Sequence, residues 1–139
     1  MIVELDDRWV CLFEDATVER CSFDWSASWL IVSSEGTFQL RVEQPFTLEC
    51  GDVTYRLDPE GNPVEMAAVL RTLREGVTRI DAMKSGALRV SFQSGIVLDV
   101  ESATQFEAWE IAGPDGVLLV SLPGGGVATW KGNQVGGLH

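Results

Sequence analysis

The sequence predicts an α+β fold: a single curved antiparallel sheet of about seven to nine strands, built from hairpins and packed on one α-helix. Three observations carry this. Segments 30–42 and 88–100 alternate apolar and polar residues on either side of a Gly-containing loop, the pattern of a β-hairpin. Segment 63–75 has apolar residues at helical spacing behind a helix-start signal. The run 117–122 is almost unbroken apolar, as expected of a central strand covered on both faces.

Residues 9–13 form a short apolar first strand, bracketed by Asp6-Asp7 and Glu14-Asp15. In 17–25, Val18, Arg20, Ser22 and Asp24 alternate with Glu19, Cys21, Phe23 and Trp25; the second, more apolar set is expected to face inward. The first hairpin puts Leu30, Val32, Phe38, Leu40 and Val42 on one face, with 33–36 as its loop. Phe46 and Leu48 continue the even-numbered set beyond Pro45, which cannot donate to a ladder and so marks an edge or bulge. Val53, Tyr55 and Leu57 make another short alternating strand.

The expected helix runs over 63–75. Asn62 suits the N-cap, Pro63 the first helical position, and Glu65 the closing residue of a capping box. Met66, Leu70, Leu73 and Val77 fall on one face, Arg71 and Arg74 lie toward the end that favours cations, and Gly76 suits the C-cap. A strand at Val77–Met83 leads into the second hairpin: Leu88, Val90 and Phe92, then Ile96, Leu98 and Val100 after Ser94-Gly95. Residues 32–43 and 90–101 share a pattern that either a duplication or a common strand sequence would give. The domain is expected to span 1–130, with 131–139 as a flexible Gly-rich tail.

Composition narrows the function classes. The chain has 139 residues, 21 acidic against 10 basic, and a net charge of -11. Such a field repels phosphate backbones and anionic lipid heads, so neither nucleic acid nor a membrane surface is an expected partner; a basic protein is. Solubility alone is the competing reason for the charge. Cys11, Cys21 and Cys50 are odd in number and lack metal-site spacing, which suits buried thiols in a reducing cytoplasm. No secretory signal or membrane-length apolar run is present, so the expected location is cytoplasmic.

No catalytic constellation emerges. The one histidine is His139, the last residue, so a histidine-based triad has no candidate. Pro123-Gly124-Gly125-Gly126 lacks the Lys and Ser/Thr of a phosphate loop and is followed by a strand pattern; a tight turn with positive φ fits better. Glu107 and Glu110, or the early cluster Asp6, Asp7, Glu14 and Asp15, would have to converge in a cleft to act as an acid–base pair or metal site, and solvated faces are the simpler reading. Catalytic, cofactor and metal residues are therefore expected to be none. Five tryptophans are many for this length. At least one of Trp25 and Trp29 is expected to be partly exposed, while Trp109 and Trp130 are expected in the core.

The closing segment, Phe106-x-x-Trp109-Glu110, Gly113-x-x-Gly116, then Val120-Ser121-Leu122-Pro123-Gly124-Gly125-Gly126-x-Ala128-x-Trp130, resembles an actinobacterial family of uncharacterised small proteins. The resemblance spans residues 20–130, with its specific part at the end. It implies a bacterial cytoplasmic origin and brings no catalytic residues. A looser likeness, in size, charge and architecture, is to acidic immunity proteins that neutralise polymorphic toxins.

Together these readings lead to a non-catalytic protein-binding module, such as an immunity protein or antitoxin, that occludes a basic and possibly toxic partner. Its candidate partner-binding residues are Asp6, Asp7, Glu14, Asp15, Asp24, Trp25, Trp29 and Glu35. The alternatives are a homodimeric or larger structural or accessory protein, joined through strand edges, and a small-ligand binder with a pocket between sheet and helix.

Overall fold

Alternating strands that each carry one apolar face must cover that face with another layer. In the computed structural model, which describes residues 1–131, the covering layer is a second sheet. In chain order the strands are β1 (Ile2–Glu4), β2 (Arg8–Leu12), β3 (Ala16–Phe23), β4 (Ala27–Ser33), β5 (Gly36–Val42), β6 (Phe46–Cys50) and β7 (Val53–Leu57). After a 3-10 helix at Pro63–Thr72 come β8 (Val77–Met83), β9 (Leu88–Phe92), β10 (Val97–Val100), β11 (Trp109–Ala112), β12 (Val117–Ser121) and β13 (Val127–Lys131).

The first sheet has the order β1-β2-β8-β9-β10-β6-β7 and the second β13-β12-β11-β5-β4-β3; every pairing is antiparallel. One apolar core lies between them, where Trp29 of the second sheet meets Phe46 of the first edge-to-face at 5.7 Å. The single sheet on one α-helix expected from the sequence is thus corrected to two facing sheets. The two hairpins present more apolar surface than one helical stripe can cover, so they cover each other.

The helix differs in kind as well. Asn62 caps it as expected, accepting from the Val64 N–H at 3.0 Å, but the turns are 3-10. In that geometry side chains three apart eclipse. The buried stripe is accordingly Met66, Val69 and Thr72, while Leu70 is 50% exposed and Leu73 half-buried. The C-cap is Leu73 rather than Gly76, and Arg74 takes the positive φ, +69°. This stripe plugs the side of the sandwich between β7 and β3. The Trp29 indole N–H donates to the Thr72 hydroxyl at 3.0 Å, and that hydroxyl donates to the Val69 carbonyl at 2.7 Å.

Turn length decides which residues point inward. In the first hairpin Ser33 pairs with Gly36 across a two-residue turn, so odd residues on β4 sit opposite even ones on β5: Trp29 opposite Leu40, Ile31 opposite Phe38. The inward face of β4 is therefore Ala27, Trp29 and Ile31; Leu30 is half-buried and Val32 exposed. In the second hairpin Gly95, at φ +97°, lengthens the turn by one residue, and Val90 pairs with Leu98 as the even-numbered pattern expects. In β3 a bulge at Glu19 resets the phase, so Val18 and Cys21 both face inward; Phe23, opposite Ala27, shares that face but is 40% exposed at the strand's end, and Trp25 lies beyond the strand.

The glycine run 124–126 is a turn in which all three residues have positive φ, from +79° to +115°. It lies against the β8–β9 turn, where a Cβ on Gly86 would come within 3.3 Å of Gly125 Cα. The Gly86 carbonyl accepts from the Trp109 indole at 2.8 Å and from the Ser121 hydroxyl at 2.9 Å. The W-E…P-G-G-G segment thus fastens one sheet to the other. Trp130, expected in the core, is 54% exposed on β13. The tail expected over 131–139 lies outside the described residues, apart from Lys131, with which β13 ends.

A candidate protein-binding surface at one end of the second sheet

β3 and β4 meet in a tight tip, Asp24-Trp25-Ser26. The Asp24 carboxylate accepts from the Ser26 hydroxyl at 2.6 Å and from the Ser26 backbone N–H at 2.7 Å, an Asx turn that stiffens the tip. Those two bonds, with a smaller contribution from Arg41, hold the Asp24 carboxyl below the usual carboxylate range. The turn leaves Trp25 with no strand neighbour, and it stands 75% exposed.

The neighbouring strands bring more acid to the same end. The Glu43 N–H bonds the Ala108 carbonyl at 2.9 Å, joining the end of β5 to the approach to β11. Arg41 pairs with Glu43 at 3.3 Å, lies 3.9 Å from Asp24, and stands opposite Glu110 in the ladder. A cleft of about 140 Å3 is lined by Arg41, Glu43, Glu107, Trp109 and Glu110. Asp24 and Glu43 thus flank one guanidinium while Glu107 and Glu110 line the cleft beside it, leaving the end negative. Phe23 and Phe106, on its flanks, are 40% and 46% exposed. Exposed aromatic rings among carboxylates supply apolar anchors and a field that attracts cations.

The other sequence candidates fall elsewhere. Trp29 is corrected outright: it is 1% exposed, with its N–H bonded to Thr72, because the two-residue turn of its hairpin aims it inward. Asp6 and Asp7 sit just before β2, where the Asp7 carboxylate accepts two hydrogen bonds from the Arg8 guanidinium. Glu14 and Asp15 follow the opposite end of β2. There Glu14 and Glu35 line a cleft with Phe13, Glu35 also lines a neighbouring one with Phe38 and Asp115, and Glu35 holds the Met1 ammonium at 2.6 Å. That end lies at the far end of β4 from Trp25, about 20 Å away by strand rise. The candidate carboxylates therefore do not form one patch; only Asp24 and Trp25 belong to the aromatic end.

Four residues of that end were absent from the sequence-based candidate set: Arg41, Glu43, Glu107 and Glu110. The Glu107–Glu110 spacing was a visible signal, but the place of Arg41 beside them follows from the β5–β11 pairing. Among the described residues, no three His, Cys, Asp or Glu side chains are placed to hold a metal ion, and no helix is long and apolar enough to cross a membrane.

A family model matches residues 9–131, from within β2 to the end of β13. The chain belongs to the DUF6188 family, a family of unknown function. No curated protein and no solved structure matches it. The family span takes in the whole aromatic, acidic end and leaves out Asp6 and Asp7.

Proposed function

We propose that the protein is a non-catalytic cytoplasmic binding module whose aromatic, acidic end holds a basic protein, in the manner of an immunity protein or antitoxin that occludes a toxin. The observation that carries the reading is Trp25, a large side chain standing exposed at a stiffened tip, at the same end of the sheet as Asp24, Glu43, Glu107 and Glu110. A tryptophan of this kind supplies the buried anchor of an interface, and the carboxylates supply steering and the choice of a cationic partner. The net charge of -11 gives the long-range attraction.

The test is affinity capture from the native bacterium at low and high salt, identification of the captured protein, and calorimetry with both proteins purified. The expected partner has a pI above neutrality. Binding should weaken with salt, and Trp25→Ala should weaken it about a hundredfold, as hot-spot truncations do. A partner that binds Trp25→Ala and Glu107→Lys as tightly as the native protein would remove this end from consideration. Co-expression supplies the functional arm: a partner that arrests growth alone and is silenced by this chain is a toxin.

A further inference from the structure

The first sheet has two edges, β1 of three residues and β7 of five. Only one side of β7 is paired, to β6, and no other backbone hydrogen bond reaches it among the described residues. Cys50 and Val53 close the two-residue turn between these strands, which makes them a hydrogen-bonded pair. The alternation of an antiparallel ladder then turns the backbone N–H and C=O groups of Val53, Tyr55 and Leu57 toward β6, and those of Thr54 and Arg56 outward. The strand has no proline and no bulge, the usual devices that blunt an edge. By contrast β3, an edge of the second sheet, is covered: Arg74 donates to the Val18 carbonyl at 2.8 Å, and Val18 to the Glu75 carbonyl at 3.0 Å.

Beside β7 runs a groove of about 710 Å3, walled by Tyr55 and Leu57 on the strand and by Ala67, Ala68 and Leu70 on the 3-10 helix. Val53, 51% exposed, and Leu70 leave apolar surface along it. The charges on the strand are self-complementary. Arg56 makes no ion pair among the described residues, and Glu49 and Asp52, one on β6 and one in the turn, make none either.

We propose that two copies of the chain pair through β7, antiparallel about a two-fold axis at Tyr55, joining their first sheets into one. In that register Thr54 of each copy faces Arg56 of the other, so the outward groups form narrow hydrogen-bonded pairs in both directions. Val53 meets its partner's Leu57 beside the groove. Each Arg56 then stands diagonal to the partner's Asp52. It also lies about 10 Å, two strand spacings, from the partner's Glu49, which sits opposite Thr54. A register shifted to centre on Arg56 would set guanidinium against guanidinium, which selects against it.

Sedimentation velocity of the full chain over a wide concentration range tests this. A reversible dimer is expected. Thr54→Pro removes an N–H that points away from β6, so it should abolish the dimer while leaving the circular dichroism melt near that of the native chain. Arg56→Glu should weaken dimerisation about tenfold, since like charges then oppose across two symmetric sites. Arg56→Glu combined with Glu49→Lys and Asp52→Lys should restore it. A native chain that stays monomeric at every concentration overturns the proposal, and so does a dimer indifferent to Arg56→Glu. The charge variants keep the test decisive if Thr54→Pro fails to fold. β7 belongs to the first sheet and Trp25 to the second, so failure here leaves the partner-binding surface standing.

Discussion

Replacing Thr72 by valine changes the shape of one side chain very little and removes one oxygen. That oxygen is the acceptor for the Trp29 indole N–H at 3.0 Å and the donor to the Val69 carbonyl at 2.7 Å. Trp29 is 1% exposed and Thr72 is fully buried, so water cannot replace the lost partner. Leaving a buried donor unsatisfied costs about 1–3 kcal/mol, and the lost bond to Val69 adds about 1 kcal/mol. Thr72→Val should therefore destabilise by about 2–4 kcal/mol. Thr72→Ser keeps the hydroxyl and loses one methyl, a change of about 1 kcal/mol. Urea titration followed by tryptophan fluorescence reads both variants, and at about 3 °C per kcal/mol the valine variant should melt roughly 6–12 °C lower. If valine proves no worse than serine, the Trp29–Thr72–Val69 relay does not fasten the 3-10 helix to the second sheet, and the account of that plug is wrong.

Asp81 is buried under Arg79 and Arg8. Burial acts to raise its pKa, but hydrogen bonds and charge from Arg79, then Arg8, outweigh this and hold it below the usual range. A depressed carboxylate stabilises the fold above its unfolded value, about pH 4, and that contribution fades as pH falls through the lower folded value. Asp81→Asn should thus be less stable at pH 7 and show a flatter loss of stability below pH 4 in pH-dependent urea titrations. Burial pushes the Cys11 thiol up to about 12; it should resist a thiol reagent in the folded protein and react only on unfolding, followed by mass spectrometry. Gly86→Ala combines a φ of +103° with a Cβ placed 2.8 Å from that of Ser102, so a loss of about 2 kcal/mol or more is expected in the same denaturation assay. Trp25→Ala, by contrast, should leave stability within about 0.5 kcal/mol of the native chain while weakening partner binding about a hundredfold.

Much of the strand content was legible because period-two alternation is a local property. Val77–Met83 was read at its observed bounds, and the second hairpin's inward face, Leu88, Val90, Phe92, Leu98 and Val100, was read correctly. The Asn62 cap was equally local: it needs only a side-chain oxygen two residues before a free N–H. The Pro-Gly-Gly-Gly run takes positive φ for a local reason too, since residues without Cβ enter that region freely. Of the candidate surface, the sequence offered Asp24, the exposure of one of Trp25 and Trp29 without saying which, and the spacing of Glu107 and Glu110.

What remained was decided at a distance. A two-residue turn turned the odd side of β4 inward, moving Trp29 from a surface candidate into the core; turn length shifts parity by one, and the sequence pattern of the arms is blind to it. The helix packs between β7 and β3, and it is the eclipsed stripe Met66, Val69 and Thr72 that it buries there. Arg41 came to stand among Asp24, Glu43, Glu107 and Glu110 through pairings between strands far apart in sequence. By itself, then, the chain determined most of its strands, the helix N-cap and its charge. Which sheet covers which, and which acids stand together, was decided by long-range pairing, because a ladder's register is a property of two segments and neither carries it alone.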